Sequence, residues 1–112
     1  MRKVTASLVV VGLLGPAVTP AVASTRNVAV GDNYFVRASG VPTVTVDKGT
    51  KVRWVWRGRS LHNVKVAKGP ATFGSSSQTS GTYVKRVRRA GTYRIICTVH
   101  GARDQSMKLV VR

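Results

Sequence analysis

Ala90-Gly91-Thr92-Tyr93-Arg94-Ile95-Ile96-Cys97-Thr98-Val99-His100 is the stretch on which the reading of this 112-residue chain turns. Thr92 to Cys97 reads as a β-strand entered from the turn Arg89-Ala90-Gly91. Cys97 is the only cysteine, so it cannot close a disulfide within the chain, and the thiol calls for another explanation. His100 follows three residues later, near enough for one tight loop to aim both side chains at the same point. The only other histidine stands upstream in Leu61-His62-Asn63-Val64.

Outward from that stretch, short alternating segments recur, separated by Gly, Pro, Asp and Ser, and nothing reads as a helix. Val44 and Val46 share a face before the turn Asp47-Lys48-Gly49. Val52, Trp54 and Trp56 share the next, with Arg53 and Arg57 opposite, and two aromatics at period two on a strand read as core. His62 to Val66 reads as a strand beginning at the histidine. Gly74 to Gly81 reads as a polar loop, Tyr83 to Val87 as a strand, and Ser106 to Val111 as the last, with Met107, Leu109 and Val111 on one face. Val28 to Val30 opens the sheet. Six or seven such strands, with turns every eight to twelve residues or roughly so, predict an all-β, Greek-key antiparallel sandwich or small barrel.

The N-terminus carries a different signal. Met1-Arg2-Lys3 is basic, Leu8 to Leu14 is apolar, and Ala21-Val22-Ala23 is an A-x-A cleavage site. Gly15, Pro16 and Pro20 interrupt the run before it is long enough to span a bilayer. The expectation is a cleaved secretory signal over residues 1–23 and one domain over residues 24–112. The protein would then be exported, to the periplasm, the cell envelope or beyond the cell. A domain of about 89 residues has a small core, and a bound metal is one way to staple it.

Nineteen Lys and Arg stand against three acids, all Asp, for a formal net charge of +16. Loss of Arg2 and Lys3 with the signal leaves about +14, a field that attracts acidic proteins or an anionic cell-envelope surface. No basic-aromatic recognition motif appears, and no nucleic-acid partner is expected.

Two imidazoles and one thiolate are the equatorial donors of a blue-copper electron-transfer centre, completed by a weak axial Met, Gln or carbonyl. His62, Cys97 and His100 supply that set. Here the chain resembles the cupredoxins, the plastocyanin, azurin and amicyanin family. The resemblance runs from Asp47-Lys48-Gly49-Thr50-Lys51-Val52-Arg53-Trp54 through His62-Asn63-Val64 and Phe73 to Ala90–His100. It implies one type 1 copper ion held by His62, Cys97 and His100. It also implies that Asn63 and Thr98 tie the two ligand segments together by a hydrogen bond. The axial position differs from the family's usual Met: counting in the plastocyanin register from Cys97, it falls on Gln105, with Met107 two residues on and on the same side. Gln105 is the axial alternative that favours the oxidised metal, whereas Met107 is the softer ligand but also fits the core-facing pattern of its strand. Arg103 and Asp104 place charge where many relatives carry an apolar rim.

The function expected from this set is the carriage of single electrons to or from a redox partner protein, expected to be acidic, by a monomer. A copper carrier or buffer, and a metal-free cationic module adhering to anionic surfaces, are the competing classes. An enzyme is not expected, because two histidines cannot furnish the additional copper centres that copper oxidases need, and neither can be spared for a Ser-His-Asp set.

Overall fold

The computed structural model describes residues 24–112; the signal and cleavage site expected over residues 1–23 lie outside the described residues. Eight strands follow in order: β1 (Thr25–Gly31), β2 (Tyr34–Phe35), β3 (Thr43–Val46), β4 (Thr50–Trp56), β5 (Lys65–Lys68), β6 (Thr82–Val87), β7 (Gly91–Ile96) and β8 (Ser106–Val111). Among the described residues there is no helix. In β4 the period of two becomes the two faces of a strand: Val52, Trp54 and Trp56 are buried, while Lys51 and Arg53 are exposed. β8 does the same with Met107, Leu109 and Val111 inward and Lys108 outward.

The strands form two four-stranded sheets, β2-β1-β4-β6 and β3-β8-β7-β5, whose buried faces meet in one core. This is the expected all-β sandwich. Each sheet also contains one parallel pair, β1 with β4 and β3 with β8, beside its antiparallel pairs. Trp54 stands at the centre, fully buried, with Phe73 at 6.0 Å and Tyr83 at 5.7 Å between ring centroids. Trp54 and Trp56 are thus core residues, and not a platform for a ligand.

Two segments depart from the sequence expectation. β5 begins at Lys65, and His62 lies ahead of it, joined by two backbone hydrogen bonds to Gln78 (His62 N–H to Gln78 O, 3.0 Å; Gln78 N–H to His62 O, 2.9 Å). The segment expected as a polar loop therefore serves as a brace. Ser75 accepts from the Val64 N–H through its hydroxyl at 2.9 Å, and its own N–H donates to Val64 O at 2.8 Å. The sequence shows only a run of serines there, because backbone pairing of this kind leaves no side-chain pattern.

Stability should track burial rather than position. Ile95→Val, at a fully buried site in β7, is expected to cost about 0.5–1.5 kcal/mol in urea unfolding. Val84→Ala, on an exposed position of β6, should stay within about 0.5 kcal/mol of the parent. Equal losses at the two sites would contradict this placement of the core.

Candidate metal centre

β7 ends at Ile96, and Cys97 is the first residue beyond it, buried completely. The chain then folds into a tight loop: Gly101 N–H bonds back to Cys97 O at 2.8 Å, and Gly101 O accepts from Gln105 N–H at 3.1 Å. Cys97 N–H donates to Gln105 O at 3.1 Å, which closes the loop where β8 begins. His100 is thereby turned back over Cys97, with its Nδ1 3.6 Å from the sulfur. From the other segment, His62 presents its own Nδ1 at 4.0 Å. The two imidazole rings lie 4.7 Å apart between centroids. One donor atom from each of His62, Cys97 and His100 lies within 4.8 Å of the others, so the three could hold one metal ion. His62 is fully buried and His100 only half-buried.

The segments that carry His62 and Cys97 are joined by a reciprocal amide clasp. Asn63 donates through Nδ2 to Thr98 Oγ1 at 2.7 Å, and Thr98 N–H donates to Asn63 Oδ1 at 2.8 Å. The β5–β7 ladder pairs Lys65 with Ile96, so two residues further along each chain Asn63 and Thr98 stand opposite one another. Side-chain hydrogen bonds continue the ladder past the point where backbone pairing stops.

One residue of the site escaped the sequence reading. Asp32, in the turn between β1 and β2, accepts a hydrogen bond from His62 Nε2 at 2.8 Å. An ionised carboxylate can only accept, so His62 carries its proton on Nε2 and leaves the Nδ1 lone pair facing Cys97. Asp32 is itself held by the N–H groups of Arg59 (3.0 and 3.2 Å) and Ser60 (3.0 Å). Gly58 makes this approach feasible, because a Cβ there would collide with the Asp32 carboxylate. Bonds from His62, then Ser60 and Arg59, hold the Asp32 carboxyl well below the usual carboxylate range. The only available signal was compositional: Asp32 is one of just three acids in a strongly basic chain.

Gln105 and Met107, the two axial candidates, are both buried and occupy different settings. Gln105 Nε2 donates to the carbonyls of Gly31 at 3.0 Å and Tyr34 at 2.9 Å, which fixes the amide and leaves its Oε1 buried with no partner among the described residues. An oxygen in that state suits a weak metal contact. The Trp54 and Trp56 indole N–H groups are likewise buried without partners among the described residues, but they are donors and offer a metal nothing. Met107 lies opposite Ile95 in the β7–β8 ladder and packs within the core.

The two-sheet, all-strand sandwich is the cupredoxin fold, and the His-Cys-His cluster fits a type 1 copper site. Among solved structures the chain is similar to variants of amicyanin. A Met-to-Gln variant in the Cu(I) state is 26% identical over 80% of this chain and 83% of that one, with a TM-score of 0.65. An oxidised Pro-to-Gly variant is 26% identical over 79% and 82%, with a TM-score of 0.64. An oxidised Met-to-Leu variant is 25% identical over 78% and 81%, also with a TM-score of 0.64. No protein-family model and no curated protein matches the chain.

The Asp32 contacts have a sign that can be tested on the metal-free protein. A carboxyl whose folded pKa is depressed stabilises the fold above its unfolded value, and that contribution is lost as pH falls through the folded value. Stability is therefore expected to decline on acidification from about pH 4 downward. Asp32→Asn should flatten that part of the profile, read by urea unfolding. An unchanged acid limb in the variant would show that Asp32 is not held as described.

Proposed function

We propose that the protein is an exported blue copper protein that carries single electrons between partners as a monomer, and is not an enzyme. The observation that carries this reading is the convergence of two imidazole Nδ1 atoms on one buried thiol, from segments joined by the Asn63–Thr98 clasp. His62, Cys97 and His100 would hold the copper ion, and the Oε1 of Gln105, which has no partner among the described residues, would add a weak further contact. Copper in such a site supplies a one-electron couple whose two states tolerate the same rigid donor set.

The protein's own residues keep that set rigid. Asp32 fixes the orientation and tautomer of His62, and the carbonyls of Gly31 and Tyr34 fix Gln105. Rigidity of this kind keeps the geometry near a compromise between the two oxidation states and so lowers the cost of changing between them. Burial of His62 and Cys97 excludes water from the thiolate, whereas half-buried His100 offers the way out for the electron. Exposed Leu61 and Val99 adjoin His62 and His100 in the chain and give that end an apolar contact surface. The net positive charge favours a redox partner with an acidic face, met at a rate that falls with salt.

An intense visible band from thiolate-to-copper charge transfer is expected when stoichiometric copper(II) is added, giving a blue protein. Cys97→Ser should abolish it. Gln105→Leu should raise the reduction potential and alter the copper spectrum. Met107→Leu should leave both in place and cost less than about 1.5 kcal/mol of stability, as a volume-conserving core change. A wild-type protein that stays colourless with copper would overturn the reading, and exchanged responses at Gln105 and Met107 would make Met107 axial.

Export rests on Met1-Arg2-Lys3, the Leu8 to Leu14 run and Ala21-Val22-Ala23. Mass spectrometry of material recovered outside the cytoplasm should give Ser24 as the first residue. Intact Met1 on that material would contradict cleavage.

A further inference from the structure

The outer face of the β3-β8-β7-β5 sheet carries a row of like charges. Lys108 on β8 pairs in register with Arg94 on β7, and Arg94 pairs with Lys68 on β5. All three side chains are exposed, and they line one open cleft of about 420 Å³ together with Gly69, Pro70 and Thr92. Strands lie about 4.8 Å apart, so three cations stand side by side over roughly 10 Å. Directly opposed like charges destabilise a sheet, and no acid offsets these. Asp32 is bonded to His62, Asp47 lies 3.4 Å from Arg112, Asp104 lies in the ligand loop, and none of the three lines the cleft.

The row is assembled by a defect in the ladder. Lys65 pairs with Ile96 and Val66 with Ile95, but the next partner, Arg94, faces Lys68, so Ala67 is an extra residue in β5. Without that bulge, regular alternation would put Lys65 and Lys68 on opposite faces of the strand. With it, Lys68 is aimed beside Arg94. The segment that follows is packed tightly, since a Cβ on Gly69 would meet the Tyr93 ring at 2.7 Å and one on Gly91 would meet Pro70 at 2.6 Å. One wall of the cleft is thus rigid.

We infer that this cleft is a binding site for a phosphate-bearing linear polymer, recognised through its charges and held by Lys68, Arg94 and Lys108. A planar guanidinium flanked by two ammonium groups is a donor set suited to phosphate oxygens. The exposed large apolar side chains of the described residues are Val41, Leu61, Val84 and Val99, and none lies on a strand of this sheet. A folded protein partner would want apolar or aromatic anchors at the centre of its footprint. A solvated polyanion needs only the cations. The face lies along the sheet, whereas His100 lies on the loop beyond the end of β7, so the polymer leaves the candidate metal centre open. The site is independent of copper.

The test uses the exported chain with long-chain inorganic polyphosphate as the probe, in binding titrations over a range of salt concentrations. Replacing Lys68, Arg94 and Lys108 together by Gln should weaken binding at least tenfold. It should also reduce the slope of log K against log salt by about 2, near 0.7 for each of three lost contacts. Replacing Lys51, Arg53 and Arg57 by Gln removes the same charge from exposed positions on and just beyond β4 of the other sheet, and should weaken binding less than threefold. Removing mutual repulsion leaves no reason for the row variant to unfold. Equal losses in the two variants, or no loss in the first, would overturn the site. Tighter binding of polyglutamate than of polyphosphate at matched charge would overturn its assignment to phosphate.

Discussion

The clasp between Asn63 and Thr98 is the interaction on which the rest of the site depends. Backbone pairing between β5 and β7 begins at Lys65 and Ile96, and both His62 and Cys97 lie beyond that rung. Left to themselves, two strand ends would separate there and solvate their free N–H and C=O groups. Two short hydrogen bonds of 2.7 and 2.8 Å replace the missing rungs and keep the imidazole and the thiol on converging paths. Around the clasp, Gln78 and Ser75 brace one side and the closed Cys97–Gln105 loop braces the other. The site's rigidity comes from hydrogen bonds at the end of a sandwich, and its dryness from the core beneath.

Most of the sandwich was legible in the sequence because alternation is a local property. Val52, Trp54 and Trp56, or Met107, Leu109 and Val111, announce a buried face within a few residues. The three candidate donors were legible for a different reason: a lone cysteine with a histidine three residues on is rare enough to stand out, and only one other histidine could complete the set. Asn63 and Thr98 came from resemblance alone, although the continued register places them opposite one another once the ladder is known.

What remained hidden is long-range. Asp32 meets His62 across thirty residues, and nothing in Gly31-Asp32-Asn33 distinguishes it from an ordinary turn acid. The Ala67 bulge was not anticipated, because the strand expected from the sequence runs from His62 to Val66 and stops short of it. Its consequence is that positive charges which look scattered in the sequence become a row in the structure. The orphan oxygen of Gln105 was equally invisible, because it depends on two carbonyls from the other end of the chain occupying the amide nitrogen.

X-ray absorption at the copper edge, on the protein loaded with one equivalent of copper, tests the central claim most directly. Two imidazole nitrogens and one sulfur in the first coordination shell are expected, with the sulfur signal lost in Cys97→Ser. A shell of nitrogen and oxygen only would show that copper lies elsewhere on the surface, and that His62, Cys97 and His100 do not bind it together.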